Sequence, residues 1–135
     1  FPPSLKTINE SAFSNCESLT IVNLSACSLL EEIDDYAFTD CTSLLAVYCP
    51  QLLQRIGEFA FGRCHSLIAA VLPPTVQVGE YAFLYCSTLD LRQEPQVEYR
   101  NLTQEQREQR SREIVTYLKQ GFDAVPIHKI CNDPD

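Results

Sequence analysis

Along this chain one arrangement of apolar and polar positions recurs four times, at residues 8–19, 33–44, 56–67 and 78–89. Each copy reads apolar, two polar or small residues, a variable residue, Ala-Phe, two variable residues, Cys, two variable residues, Leu. The second copy is Ile33-Asp34-Asp35-Tyr36-Ala37-Phe38-Thr39-Asp40-Cys41-Thr42-Ser43-Leu44. Phe13, Phe38, Phe61 and Phe83 lie 25, 23 and 22 residues apart. Repetition at that period predicts a solenoid in which each unit is one coil of chain.

Every unit divides into three parts. A short apolar pair comes first: Leu5/Ile8, Leu30/Ile33, Leu53/Ile56 and Val76/Val78. The Ala-Phe-x-x-Cys segment follows, expected to form about two turns of helix with Ala and Phe facing inward. The third part starts at Leu19, Leu44, Leu67 or Leu89 and alternates as a strand does, Val22 and Leu24 inward, Ile21 and Asn23 outward. Pro50 and Pro73 stop the second and third of these strands. The expected fold class is an α/β repeat solenoid, with short strands on one side and short helical segments on the other. A single unit cannot bury its apolar face, so stacked copies must share one core built around a column of phenylalanines.

The pattern decays in the fourth copy, where Arg92 stands at the inward position of Val22, Val47 and Ala70, and a polar linker follows. Two regions result: repeats over residues 1–95, then a linker, a helix over about 103–121 and a tail within 96–135. Thr103 with Gln106 forms a capping box, good helix formers fill 104–120, and Gly121 is a natural stop. Its apolar residues, Ile114, Val115, Tyr117 and Leu118 with Phe122 beyond, gather at the C-terminal end. That end is expected to cap the last repeat; the alternative is insertion into a partner's groove. At the other end, Phe1-Pro2-Pro3-Ser4-Leu5 parallels Leu72-Pro73-Pro74-Thr75-Val76, and no Met occurs. The array is therefore expected to continue upstream.

Composition narrows the function classes. Hydrophobic residues make up 45% of the chain, enough for a core. The net charge of −8 would repel a phosphate backbone, so no nucleic acid is expected as partner. Residues 1–95 carry 11 acidic and 4 basic side chains, which places most of the excess on the repeats. No apolar run is long enough to span a bilayer, so no membrane insertion is expected of this segment.

At residues 33–44 and at Ile56-Gly57-Glu58-Phe59-Ala60-Phe61-Gly62-Arg63-Cys64-His65-Ser66-Leu67 the chain resembles the BspA-type leucine-rich repeat. That family's pattern is roughly Leu-x-x-Ile-Gly-x-x-Ala-Phe-x-x-Cys-x-x-Leu-x-x-Ile-x-Leu-Pro, and the resemblance covers residues 1 to about 92. It implies a leucine-rich-repeat solenoid of a kind found in microbial surface proteins that bind host or matrix proteins, and in intracellular proteins. The chain departs from the pattern in lacking Pro after Leu24, in placing Cys49 where Leu is usual, and in its degraded fourth strand. Residues 96–135 lie outside the resemblance.

Candidate chemistry is sparse. Cys16, Cys41, Cys64 and Cys86 occupy one repeat position, as expected of small buried thiols in a ladder. No Cys-x-x-Cys occurs, and adjacent Cys64 and His65 should point apart, so no metal site or cofactor is expected. Cys27, Cys49 and Cys131 are unassigned; the first two are 22 residues apart, which allows them to be neighbours in adjacent coils. The thiol ladder leans toward a reducing, intracellular compartment, with the cell surface or secretion as the alternative. The acidic group Glu31, Glu32, Asp34 and Asp35 lacks the Gly-containing spacing of a calcium loop and reads as a solvated loop. With His65 and His128 as its only histidines and four glycines in all, the chain assembles no catalytic triad or phosphate loop, and no enzyme activity is expected.

The outward strand face remains. It stacks Ile21, Ala46, Ala69 and Leu91 in one row and Asn23, Tyr48, Val71 and Gln93 in another, with Leu45 and Ile68 alongside. An apolar face of this kind marks an interaction site, and Tyr48 is the expected anchor because aromatic residues dominate interface energetics. Against this stands the possibility that the tail folds over the face. The leading expectation is a non-enzymatic module that binds a protein partner through this face. The alternative is a structural subunit packed into a larger assembly by its open end and C-terminal helix.

Overall fold

The computed structural model describes residues 1–86 and 102–121. Its strands are β1 (Thr7–Ile8), β2 (Ile21–Asn23), β3 (Glu32–Ile33), β4 (Ala46–Tyr48), β5 (Arg55–Ile56), β6 (Ala69–Val71) and β7 (Gln77–Val78). A single helix, α1 (Gln104–Gly121), follows. The strands form two parallel sheets, in the orders β1-β3-β5-β7 and β2-β4-β6. Parallel neighbours one coil apart are what a solenoid demands, since each coil returns the chain to the same place. The register is the one the repeat dictates: Ile8, Ile33, Ile56 and Val78 pair in succession, as do Val22, Val47 and Ala70. The apolar pairs at the head of each unit thus make a second sheet of their own.

Between the sheets lies one core. Val22, Leu24 and Val47 are fully buried, so the inward and outward faces of the strands are as the alternation predicts. The phenylalanine column is present. Phe13, Phe38, Phe61 and Phe83 stack face to face at 5.2–5.3 Å between ring centroids, within 7° of parallel.

The segments that carry these rings are not helical, which corrects the expectation of short helices opposite the strands. Each is a pair of successive tight turns, as in Ala37 N–H to Asp34 C=O (3.3 Å) and Thr39 N–H to Tyr36 C=O (3.2 Å). The alternate amides Tyr36, Phe38 and Asp40 donate instead to Glu58, Ala60 and Gly62 of the next coil, at 2.7–2.9 Å. A helix would consume these donors internally; here they bind coil to coil. The geometry needs a left-handed residue at two points per turn pair: Ser11 and Asn15, Tyr36 and Asp40, Phe59 and Arg63, Tyr81 and Tyr85, all with φ between 54° and 61°. Asn15 and Asp40 were the legible signal, because Asn and Asp tolerate that region best among residues with a side chain.

Helix α1 starts at the expected box. Thr103 Oγ1 accepts from Gln106 N (3.2 Å), and Gln106 Oε1 accepts from Thr103 N (2.9 Å). Leu118 is buried in the common core, with Ile114 and Val115 packed against it, and the helix runs beside β6. It therefore lies across the end of the array. The linker, Phe122, His128 and Cys131 lie outside the described residues.

Candidate interaction surface

The strand face is built by β2, β4 and β6, whose register places Ile21 beside Ala46 and Ala69, and Asn23 beside Tyr48 and Val71. Both expected rows exist over these three strands, while Leu91 and Gln93 lie outside the described residues. The rows differ in exposure from the sequence reading. Tyr48 is 0% exposed, Ala46 5% and Val71 2%, and these three form a second small apolar cluster with Ile21 and Ala69 at its edge. Tyr48 is thus part of a packed layer and offers no ring to solvent, contrary to its expected place as an exposed anchor. The expectation that the tail folds over this face concerns residues outside those described. What stays open is the flank: Ile68 is 57% exposed, Asn23 is exposed, and Ile21, Leu45 and Ala69 are half-buried.

A second apolar edge was not anticipated. Leu29 and Leu52 occupy the same position in successive coils, by the register that pairs Glu32 with Arg55, and both are exposed. The signal was present in the sequence as an extra Leu ahead of the second and third apolar pairs, but no periodic argument says which of two adjacent leucines turns inward.

The acidic group stays partly solvated, with Glu31 exposed and the other three half-buried, but it is tied coil to coil. Arg55, one coil on, reaches Glu32 (3.0 Å), Asp34 (3.5 Å) and Asp35 (3.1 Å), while Asp35 Oδ1 also accepts from Glu58 N (2.8 Å). Three carboxylates crowded on one loop are thereby bridged by a single guanidinium, whose fork suits several oxygens at once. Sequence reasoning missed Arg55 because its role depends on the Glu32–Arg55 register across β3 and β5. Among the described residues no group of His, Cys, Asp and Glu could hold a metal ion.

The cysteines of the repeat are buried hydrogen-bond donors. Cys41, Cys64 and Cys86 donate to the carbonyls of Phe13, Phe38 and Phe61 in the preceding coils, at 3.2, 3.3 and 3.0 Å. Burial pushes the Cys41 thiol up to about 11 and the Cys49 thiol up to about 12, so both stay protonated at neutral pH. His65 is exposed while Cys64 is buried, which separates that pair as expected. Cys27 and Cys49 fall in different rows. Cys49 continues the strand row of Leu24 and Leu72. Cys27 takes the turn position of Pro2, Pro50 and Pro73, its carbonyl accepting from Leu30 as theirs do from Leu5, Leu53 and Val76. All six described cysteines are free thiols.

Two parallel sheets, the inner column of phenylalanines and one thiol ladder, all repeating with the coil, define a leucine-rich solenoid. The chain belongs to the BspA-type leucine-rich repeat family, whose model matches residues 1–90 with six copies. Among solved structures it is similar to a T. pallidum leucine-rich repeat protein, TpLRR, at 30% identity over 62% of this chain and 50% of that one, with a TM-score of 0.49. A leucine-rich repeat protein from Bacteroides ovatus is similar at 19% identity over 66% of this chain and 40% of its own, with a TM-score of 0.36. The chain spans about half the length of the first and less of the second. No curated protein matches it. Among the described residues no helix is long and apolar enough to cross a membrane.

Proposed function

We propose that this chain is a non-enzymatic protein-interaction module that receives its partner on the open flank of the strand face, at Ile21, Asn23, Leu45, Ile68 and Ala69. Ala46, Tyr48 and Val71 serve as the packed floor beneath. Leucine-rich repeats are a fold commonly used for binding proteins, and the observation that carries the reading is Ile68. A large apolar side chain, 57% exposed, stands on a backbone tied to the preceding coil, where the amides of Ile68 and Ala69 both donate to the Leu45 carbonyl. A rigid apolar position of that kind gives contact area with little entropy to lose on binding. Leu118 is engaged within the chain's own core, which favours the strand face over α1 as the docking surface.

The test uses Ile68→Glu with Ala69→Glu, both accessible positions, in place of buried Tyr48. A partner cross-linked through a photoreactive residue at position 45 of the native chain should be lost from the double variant while the melting temperature holds. A partner retained at equal yield would overturn the reading.

A further inference from the structure

Away from β2, β4 and β6, each coil holds a left-handed residue at the start of its paired turns. Ser11, Tyr36, Phe59 and Tyr81 occupy this position in successive coils, at φ of 57°, 58°, 54° and 58°. A residue with a bulky ring is an outlier at such a φ, where Gly, Asn and Asp fit best. The other left-handed row follows that preference at Asn15 and Asp40. Three successive coils nevertheless carry an aromatic side chain here, outside the core. Tyr36 stacks on Phe59 at 5.1 Å and Phe59 on Tyr81 at 5.4 Å between ring centroids, so a second aromatic column runs along the turn face. Tyr36 is 40% exposed, and Phe59 and Tyr81 are half-buried.

The residue just before this position is acidic in every coil: Glu10, Asp35, Glu58 and Glu80. Asp35 is held by Arg55, whereas Glu58 and Glu80 are exposed, and neither side chain forms an ion pair among the described residues. The surface is therefore a stripe of ring edges beside a row of carboxylates. Both faces of Phe59 are covered by its neighbours, which leaves no flat ring there for a sugar to stack on. The negative row repels a second copy of this chain, a nucleic acid and an anionic membrane. It suits an apolar ridge with positive charge along one flank.

We infer that this stripe receives a basic amphipathic α-helix of a partner protein, laid parallel to the aromatic column. The match is one of period. The rings succeed one another at 5.1 and 5.4 Å, and an α-helix advances about 5.4 Å per turn. A helix in this orientation presents one side chain to each coil, at i, i+4 and i+7, and stays in step with the array. An extended chain sets its same-face side chains about 6.7 Å apart and falls out of step within two coils. Apolar side chains of the helix cover the edges of Tyr36, Phe59 and Tyr81, and Arg or Lys beside them meets Glu58 and Glu80. Contact with the rings supplies affinity, and the carboxylates set orientation and the choice of partner. The stripe shares no residue with the strand-face flank, so either reading can fail without the other.

The probe is a fluorescein-labelled, alanine-based helical peptide of about 14 residues, with leucine at i, i+4, i+7 and i+11 and arginine beside each leucine. It is titrated against the full chain by anisotropy. Affinity is expected to fall by about tenfold or more, some 1.4 kcal/mol, in three comparisons. The first is a peptide of the same composition with its leucines and arginines scattered around the helix. The second is the protein variant Glu58→Gln with Glu80→Gln, which alters exposed side chains only. The third is Phe59→Asn, which removes the middle ring and supplies a residue that the left-handed turn prefers, so circular dichroism should show the fold kept. Ile68→Glu with Ala69→Glu should leave binding unchanged, and a benzophenone at a central leucine should cross-link to residues 36, 59 or 81. Absence of binding to the native chain, equal binding in any of the three comparisons, loss of binding in the strand-face variant, or cross-links confined to other segments would overturn the inference.

Discussion

The thiol of Cys64 donates to the carbonyl oxygen of Phe38, 3.3 Å away in the preceding coil, and both residues are fully buried. Phe38 thus does three jobs at one position. Its ring stacks between Phe13 and Phe61, its amide donates forward to Ala60, and its carbonyl is satisfied from the coil ahead by sulfur. Cysteine at this place is a donor small enough to fit, which a description as apolar filler leaves out. Cys64→Ser keeps a donor, whereas Cys64→Val keeps volume and strands a buried carbonyl at a cost of about 1–3 kcal/mol. Chemical denaturation should rank the serine variant as the more stable. The reverse order would reduce the thiol to a packing group.

Removing a ring from the middle of the column should be worse. Phe38→Ala deletes a fully buried side chain with a stacked neighbour on each face, and a loss of roughly 3–5 kcal/mol is expected. Thermal unfolding followed by circular dichroism measures it. Phe13→Ala, at a half-buried position, should cost clearly less.

The glycines separate by what a methyl group would meet. Gly79→Ala places a carbon 2.7 Å from the Glu58 nitrogen and 2.8 Å from the Gly57 carbonyl carbon, all of it backbone fixed by neighbouring coils. Gly62→Ala meets Phe59 O and Thr39 Oγ1 at 3.3 Å, where a shift of a few tenths of an ångström suffices. Gly57→Ala and Gly79→Ala should therefore lower the melting temperature more than Gly62→Ala does, although glycine elsewhere is often improved by alanine.

Alkaline pH should unfold the chain early. Burial raises the folded Cys41 and Cys49 thiols from 9.0 to about 11 and about 12, so the folded state holds protons that the unfolded state releases. The sign is fixed by that: stability is intact below pH 9 and falls as pH climbs through the folded values, by about 1.4 kcal/mol per pH unit for each thiol. Denaturant titrations at pH 8 and pH 10.5 should show the drop, and Cys49→Ala should make it shallower. At pH 7.5 a thiol reagent should leave Cys41 and Cys49 unmodified in the folded chain and label them in denaturant.

Much of the architecture was written along the chain. The spacing of Phe13, Phe38, Phe61 and Phe83 determined an internal ring column, and the alternation from Leu19 to Leu24 determined which strand residues face it. The Thr103–Gln106 box determined where α1 begins. These are properties of local pattern, repeated until chance is excluded. The tertiary structure decided the rest. It made the Ala-Phe segments into paired turns, because their amides gain more by bonding to the next coil than to themselves. The Glu32–Arg55 register drew Arg55 among three carboxylates, and Tyr48 was withdrawn from solvent into a second layer. A repeat specifies what each coil contains. Which neighbour completes a hydrogen bond, an ion pair or a buried face is a relation between coils, and it exists only once they are stacked.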